Sequence, residues 1–174
     1  MNLPDENSRI TAVADRDGLT AVYCAFERLL AVGSRPSVEV LERRFEKGLA
    51  LVRAFLAEDG HVAGAHVLYS LSAGAAEAID ASSLVRGADL TDEDLLQVGD
   101  ENWSGQSLYL SSIAAEFEHR RALTRDLDLL LSRRQARKIF SRPSTPEGFR
   151  YLERRRYEPV STASQIWRLN NPGR

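Results

Sequence analysis

Three arginines that follow a predicted strand are the residues best placed to do chemistry. Residues 107–115 are rich in β-forming side chains, and Arg120, Arg121 and Arg125 come next, where a helical pattern begins. A helix that starts beside a strand end presents unpaired backbone N–H groups and the positive end of its dipole. The N-terminus of such a helix favours a bound phosphate, and nearby guanidinium groups strengthen phosphate binding. The junction therefore predicts a phosphate-binding site; the alternative is a solvated helix face on which Asp126 and Asp128 balance the arginines.

The elements that must position these arginines have clear patterns. From about Ala122, apolar residues recur at helical spacing: Leu123, Leu127, Leu130 and Leu131. A second short strand, residues 139–141, follows this helix and ends before Pro143. The order strand, helix, strand predicts a helix that packs against a sheet, with the arginines near its first turn.

Other kinds of site have less support in the sequence. His61 falls in a predicted turn and His66 in a predicted strand, so the two lack the spacing of a metal-binding pair, and no metal is expected. Ser111 and Ser112 have no Gly-x-Ser-x-Gly context, so a hydrolase triad is not predicted. Cys24 lies on an amphipathic helix and is expected to pack in the core.

Length and composition indicate an ordinary globular chain. Its 174 residues, with 43% hydrophobic and 28% charged side chains, predict one soluble domain with a sizeable core. The net charge of −2 gives no reason to expect a nucleic-acid partner. A single cysteine excludes an internal disulfide and fits a reducing compartment. No apolar run could span a bilayer, and the polar, acidic start is unlike a signal peptide, so a cytoplasmic location without a membrane partner is expected.

The N-terminal part of the chain reads as a strand, two helices and a hairpin. A strand is predicted near residues 10–14 and a helix over residues 19–31, and Ser37 is the expected cap of a second helix. Strands at 50–57 and 62–71 flank a turn in which Gly60 is placed for a positive φ.

Residues 72–106 form the least regular segment. Small residues predict a loop at 72–76, and Thr91 caps a short predicted helix. A segment of this length is either a lid or binding loop, or a surface excursion.

The C-terminal part adds a helix and two strands. Thr145 caps a helix that is predicted to run to about Arg155, and residues 157–160 and 163–169 form a terminal strand pair. The two ends of the chain, residues 1–8 and 170–174, are expected to be mobile tails.

Two stretches resemble a known family. SLYLSSIAAEFEHRRALTRDLDLLL and the later FSRPSTPEGFRYLERRRYEPV are similar to the acyl-CoA-binding half of the GCN5-related N-acetyltransferases (GNAT). The resemblance implies a single α+β domain over residues 1–174, with 72–106 as an insertion or lid. It also implies a mixed, mostly antiparallel twisted sheet of about six to seven strands, flanked by about four helices.

The resemblance also implies where the site lies. In the family, the thioester carbonyl meets a backbone N–H of the central strand, which corresponds here to Ile113, Ala114 and Ala115. The coenzyme A diphosphate lies on the amides of the next helix, which correspond to the following residues: Arg120, Arg121, Ala122, Leu123, Thr124 and Arg125. Glu116 is the candidate general base, the alternative being a solvated carboxylate in a turn, and Tyr151 is the candidate acid for the departing thiolate.

The sequence departs from the family pattern at three places. The loop glycines are absent, since residues 122–125 contain none, and this is expected to narrow the phosphate cradle. The position of the family tyrosine falls on Leu152, with Tyr151 one residue away, about 100° round the helix. The Gly-Phe of the final chain reversal is replaced by Arg156 and Tyr157.

Two functions follow from the resemblance. The first is an acyl-CoA-dependent N-acyltransferase that transfers an acyl group from acetyl-CoA, or another acyl-CoA, to an unidentified amine without a metal. The second is a catalytically impaired fold that serves as a binding, dimerisation or regulatory module, for instance as a homodimer. The fold alone does not choose between them.

Overall fold

The computed structural model describes residues 9–84, 86–98, 105–133, 135–162 and 164–170. Within these ranges the chain forms five α-helices: α1 (Arg16–Leu29), α2 (Val38–Glu46), α3 (Ala73–Asp80), α4 (Arg120–Arg133) and α5 (Pro146–Arg154). The same ranges contain eight strands: β1 (Ile10–Ala12), β2 (Ala50–Leu56), β3 (Val62–Leu71), β4 (Leu95–Leu96), β5 (Ser107–Ala115), β6 (Lys138–Ser141), β7 (Glu158–Pro159) and β8 (Trp167–Asn170).

The strands form one sheet in the order β1-β2-β3-β5-β6-β8-β7, with β4 paired to β3. Every pair is antiparallel except β5 and β6, which run parallel. The expected α+β class with a mixed, mostly antiparallel sheet is confirmed. The additional helix and strand, α3 and β4, both lie in the segment 72–106, where residues 72–76 were wrongly expected to form a loop.

Helices cover both faces of the sheet. All ten residues of β3 are buried, because this strand lies at the centre and is covered on both sides. Helices α1, α2 and α3 pack on one face, through residues such as Phe26, Leu41 and Ile79. Helices α4 and α5 pack on the other, through residues such as Leu127 and Leu152. Each such side chain contributes roughly 1.5–3 kcal/mol when fully buried.

Side chains cap four of the five helices. The side chains of Asp15, Ser37, Ser72 and Thr145 accept hydrogen bonds from the first-turn amides of α1, α2, α3 and α5, as predicted for Ser37 and Thr145. Among the described residues no side chain caps α4, which instead continues from a 3-10 turn over Phe117–His119. This helix begins two residues before the expected Ala122, because the junction is itself helical.

Two expectations about the periphery need correction. Cys24 is exposed, because it faces away from the stripe of α1 that buries Val22 and Phe26. Asn170 belongs to β8, where it pairs with Lys138, so the last strand includes the first residue of the expected tail. Residues 1–8, 99–104 and 171–174 lie outside the described residues, so most of the two expected tails stays a prediction. Every helix described is too short or too polar to cross a membrane.

Candidate functional site

The central feature of the site is a gap between the parallel strands β5 and β6. The two strands pair over four residues, from Ser107 with Lys138 to Leu110 with Ser141. Beyond this point β6 ends, while β5 continues for five residues to Ala115. Among the described residues, no strand pairs with this edge of β5 from Ser111 onward, so it can offer backbone groups to a ligand.

A β-bulge marks the residue at which the gap opens. Val67 of β3 lies opposite Ser112, and the next residue, Leu68, lies opposite Leu110. Ser111 is therefore an extra residue without a partner in β3. A bulge changes the direction of its strand and of its backbone groups, and bulges are frequent beside active sites.

A narrow cleft of about 70 Å³ opens on the side of the gap covered by α5. Leu110 and Ile113 of β5 and Tyr151 and Leu152 of α5 are among its lining residues. On the opposite side of the sheet lies a larger cavity of about 500 Å³. The cleft and the cavity share five lining residues, so they meet at the gap: Ser34, Ser111, Ser112, Arg142 and Ser144.

The large cavity has an aromatic floor. Tyr69 of β3 and Tyr109 of β5 lie next to each other across the two strands, and both are buried. The walls come from the loop over residues 33–37, from α2, and from the segment 87–92. Burial raises the pKa of Tyr109 to about 12, although the nearby charge of Arg142 opposes this shift. The Tyr109 hydroxyl therefore stays protonated near neutral pH.

The segment 87–92 closes the cavity because it is held to α2 by ion pairs. The carboxylate of Asp92 accepts two hydrogen bonds from Arg43, at 3.0 and 3.1 Å, and one from Lys47 at 2.9 Å. These partners, Arg43 first, hold the pKa of Asp92 well below its usual range. Arg44 is buried, donates to Asp92 at 3.3 Å and to the Leu90 carbonyl, and lies 4.8 Å from the centre of the Tyr69 ring.

Tyr151, the candidate acid, lines the narrow cleft. Burial raises its pKa to about 12, so the hydroxyl remains protonated and able to donate a proton. The guanidinium carbon of Arg155 lies 5.5 Å from the centre of the tyrosine ring, and Arg155 is itself paired with Asp128. Leu152, which falls at the position of the family tyrosine, also lines the cleft but belongs to the core between α5 and the sheet.

Glu116, the candidate base, lies outside the cleft and the cavity. Its Oε1 accepts a hydrogen bond from Arg28 at 2.8 Å and lies 3.1 Å from Nε2 of His61. The hydrogen bond with His61, and then the one with Arg28, lower the pKa of Glu116. Five residues of extended strand, about 16 Å, separate Glu116 from the bulge at Ser111. The structure thus places Glu116 in an ion-pair cluster at the far end of β5.

The residues proposed to bind the cofactor lie in different surroundings. On β5, Ile113 lines the cleft, whereas Ala114 and Ala115 are buried further along the strand. Ala122 and Leu123 turn into the core beneath the first turn of α4, and the Thr124 hydroxyl donates to the Arg121 carbonyl at 3.1 Å. Three side chains stay exposed around that turn: Arg120, Arg121 and Arg125.

The turn that leads into α4 is fixed from below. The ring of His119 stacks on Phe55 of β2, with 4.6 Å between the ring centres. Nε of Arg120 donates to the Ala115 carbonyl at 3.3 Å. His119 therefore anchors the junction to the sheet, and the arginines remain at its surface.

One cluster in the described residues brings three possible metal ligands together. Oxygen and nitrogen atoms of Glu116, Glu118 and His119 lie within 4.8 Å of one another. The Arg28 guanidinium already contacts the Glu116 carboxylate, and a positive charge at 2.8 Å disfavours a bound cation. We therefore assign no metal to this cluster.

The comparisons with known proteins place this geometry in a fold family. No protein-family model matches the sequence, and no curated protein matches it. The solved structure of YhbS, a GNAT family N-acetyltransferase from Escherichia coli in complex with CoA, matches with a TM-score of 0.58 and 10% identity, over 92% of this chain and 79% of that one. GphF, a GNAT-like decarboxylase in complex with isobutyryl-CoA, matches with a TM-score of 0.57 and 16% identity, over 93% and 98%.

A third structure is a probable N-acyltransferase from Enterococcus faecalis V583. It matches with a TM-score of 0.50 and 12% identity over 86% of this chain, which spans only 32% of the length of that protein. At such identities the likeness concerns the fold, and the chain has the GNAT fold.

Proposed function

We propose that this protein is an acyl-CoA-dependent N-acyltransferase that transfers an acyl group, such as the acetyl group of acetyl-CoA, directly to an amine. The observation that carries the proposal is the gap between β5 and β6, where the narrow cleft meets the large cavity. A donor and an acceptor that enter from opposite faces of the sheet can meet there. The GNAT fold supports the same function. So do two similar structures, one in complex with CoA and the other with isobutyryl-CoA.

The start of α4 is suited to the diphosphate of an acyl-CoA. Its first turn has no side-chain cap among the described residues, and Arg120, Arg121 and Arg125 are exposed around it. Although the family glycines are missing, the side chains of Ala122 and Leu123 pack into the core and leave the outer side of the turn free. Backbone amides and guanidinium groups together supply the donors that a diphosphate needs.

The reaction forms one bond and breaks another. The nitrogen of the neutral amine attacks the thioester carbon, the C–N bond forms, and the C–S bond breaks to release the thiolate. In this proposal, backbone N–H groups on the open edge of β5, toward Ile113, Ala114 and Ala115, stabilise the developing oxyanion. Tyr151 gives a proton to the thiolate, and water takes the proton from the amine nitrogen.

One observation favours a second candidate, a GNAT fold that binds acyl-CoA without turnover. Asp92 is the only carboxylate that lines the cleft or the cavity in the described part of the chain, and it is fully engaged by Arg43, Arg44 and Lys47. No free carboxylate is therefore available there as a base. The two candidates share a ligand and differ in whether free coenzyme A is released.

The proposal is tested by titrating the protein with acetyl-CoA while thermal unfolding is followed. A ligand that binds only the folded state stabilises it by RT ln(1 + [L]/Kd), about 2.7 kcal/mol at a hundredfold excess over Kd. Absence of stabilisation at millimolar acetyl-CoA would reject both candidates. Stabilisation without release of coenzyme A, across a panel of amines, would favour the binding module.

Charge reversal then locates the diphosphate. We expect Arg121→Glu to weaken acetyl-CoA binding by at least tenfold, because a like charge faces the phosphates at the start of α4. Arg133→Glu is the matched control, since Arg133 is exposed in the last turn of the same helix. Equal affinities of the two variants would remove the start of α4 from the binding site.

A further inference from the structure

Positively charged side chains outnumber negatively charged ones around the large cavity. Four arginines and a single carboxylate line it in the described residues: Arg35, Arg43, Arg44, Arg142 and Asp92. Their formal charges sum to +3, in a chain whose overall net charge is −2. The cavity thus has the opposite sign to the protein as a whole, and clefts lined by one sign of charge concentrate ligands of the other.

Most of these arginines are held by the protein. Arg43 and Arg44 share the carboxylate of Asp92. Arg35 donates to two backbone carbonyls, those of Leu30 at 3.0 Å and Glu27 at 2.6 Å. The Arg35 guanidinium also lies 3.9 Å from the Glu27 carboxylate. These contacts fix the three guanidinium groups, and Asp92 and Glu27 balance two of their three charges.

Arg142 is different. It is exposed at the end of β6, lines both the cleft and the cavity, and makes no ion pair or side-chain hydrogen bond with the described residues. Pro143 follows it and restricts the backbone at this point. Its guanidinium is therefore available to a ligand at the gap.

The neutral polar groups around the cavity add hydrogen-bond donors. The hydroxyl groups of Tyr69, Tyr109, Ser111 and Ser112 form no hydrogen bond with another described side chain or backbone group. Tyr109, whose pKa is raised to about 12, remains a donor near neutral pH. Arginine and hydroxyl donors that converge on one space suit the oxygens of a carboxylate or a phosphate.

From this arrangement we infer that the acceptor is a small amine that also carries an oxyanion, either a carboxylate or a phosphate, and that Arg142 binds this oxyanion. The inference rests on the proposed function for the chemistry at the amine, and goes beyond it in naming the class of acceptor. A polycationic amine is disfavoured by the same charges.

The positive cavity also accounts for the absence of a free base. An ammonium group near several guanidinium groups has a lowered pKa, because the charged form is destabilised by like charges. A larger share of the amine is then neutral and nucleophilic, and water suffices to accept its proton. The oxyanion of the acceptor provides the attraction that brings the amine into this field.

The inference is tested by comparing amines with and without an oxyanion. With saturating acetyl-CoA, release of coenzyme A is measured with glycine, glutamate and phosphoethanolamine, with glycinamide and ethanolamine as counterparts that lack the oxyanion, and with spermidine as the polycation. Each rate is referred to the concentration of neutral amine, because the amine pKa differs within a pair. We expect kcat/KM for an oxyanion-bearing amine to exceed that of its counterpart at least tenfold, with spermidine the poorest. The carboxylate and phosphate arms identify which oxyanion the site prefers.

Arg142→Ala is expected to reduce the ratio of kcat/KM for glycine over glycinamide to near one, chiefly through KM for glycine. Arg133→Ala, which removes an exposed arginine that lines neither the cavity nor the cleft, should leave the ratio unchanged. Equal kcat/KM for amines with and without an oxyanion, a preference for spermidine, or an unchanged ratio in Arg142→Ala would overturn the inference.

Direct binding separates this result from a failure of the proposed function. Calorimetric titration of the protein with glycine and with glycinamide, without acetyl-CoA, measures the oxyanion site alone. Glycine is expected to bind at least tenfold more tightly than glycinamide in the wild type, and the two equally in Arg142→Ala. If glycine binds in this way while acetyl-CoA does not bind, the transferase proposal fails and the oxyanion site stands; if neither amine binds and no oxyanion-bearing amine reacts, the inference fails.

Discussion

The hydroxyl oxygen of Tyr109 lies only 1.9 Å from the point that a Cβ atom at Gly87 would occupy. The segment that closes the cavity can therefore approach the floor of the sheet only because residue 87 has no side chain. We predict that Gly87→Ala lowers the free energy of unfolding by about 1–3 kcal/mol, the usual cost of an overpacked site. Equilibrium unfolding in urea measures this loss.

Gly74→Ala is the control for this substitution. A Cβ atom at Gly74, in the first turn of α3, has no atom within 4 Å. Alanine has the higher helix propensity, so Gly74→Ala is expected to leave stability unchanged or to raise it by up to about 1 kcal/mol. Similar losses in both variants would contradict the contact between residue 87 and Tyr109.

The hydroxyl group of Tyr151 is expected to contribute to catalysis rather than to the stability of the fold. If its hydroxyl protonates the thiolate, Tyr151→Phe should lower kcat about 100-fold while the affinity for coenzyme A stays within a factor of two. Tyr157→Phe is the matched control, because Tyr157 is buried in the same cluster but does not line the cleft. The two variants are compared by release of coenzyme A. A normal kcat in Tyr151→Phe would exclude this residue as the acid.

Local signals in the sequence were sufficient for much of the fold. The strand over residues 107–115 was predicted to the residue, and Ser37 and Thr145 were correctly identified as helix caps. Both features depend on neighbours close in sequence. The positive φ of Gly60, +87°, confirms the hairpin turn for the same reason.

The cavity could not be predicted in this way, because its parts are distant in sequence. Tyr69, Tyr109 and Arg142 meet only after β3, β5 and β6 have paired, and none of them belongs to a motif. The bulge at Ser111 is likewise a property of the pairing between β3 and β5. Helix α3 was missed because its small residues have weak periodicity, although Ser72 caps it as Ser37 caps α2.

Asp92 is predicted to hold the segment 87–92 against α2. Asp92→Ala removes the shared partner of Arg43, Arg44 and Lys47, and leaves the buried Arg44 with only the Leu90 carbonyl. We expect a loss of roughly 1–2 kcal/mol, since the carboxylate is partly exposed and only one of its partners is buried.

The same variant should loosen the segment locally. Limited proteolysis is expected to cut Asp92→Ala within residues 86–98 faster than the wild type, at a temperature where both are folded. Asp89→Ala is the control, because Asp89 pairs with Arg86 inside the segment and not with α2. Equal cleavage of the two variants would show that the ion pairs of Asp92 do not restrain the segment.

His61 should make stability depend on pH. Its Nδ1 lies 2.5 Å from Asp59 and its Nε2 lies 3.1 Å from Glu116, and these hydrogen bonds, Asp59 first, raise its pKa. A histidine whose pKa is raised by folding stabilises the folded state. This stabilisation is complete below the unfolded pKa of about 6.5 and is lost as pH rises through the pKa of the folded state. The same contacts lower the pKa of Asp59 and Glu116, so the contribution of these carboxylates is complete above about pH 4.5 and is lost as pH falls.

These two limits define the pH range in which His61, Asp59 and Glu116 together stabilise the folded state. His61→Gln should reduce the free energy of unfolding most between about pH 4.5 and pH 6.5, where protonated histidine faces ionised carboxylates. The difference from the wild type should shrink above this window, because the wild-type histidine then loses its charge. Urea unfolding at a series of pH values measures the difference. If the two stability curves run parallel from pH 4 to pH 8, then His61 is not bound more tightly to Asp59 and Glu116 in its charged form.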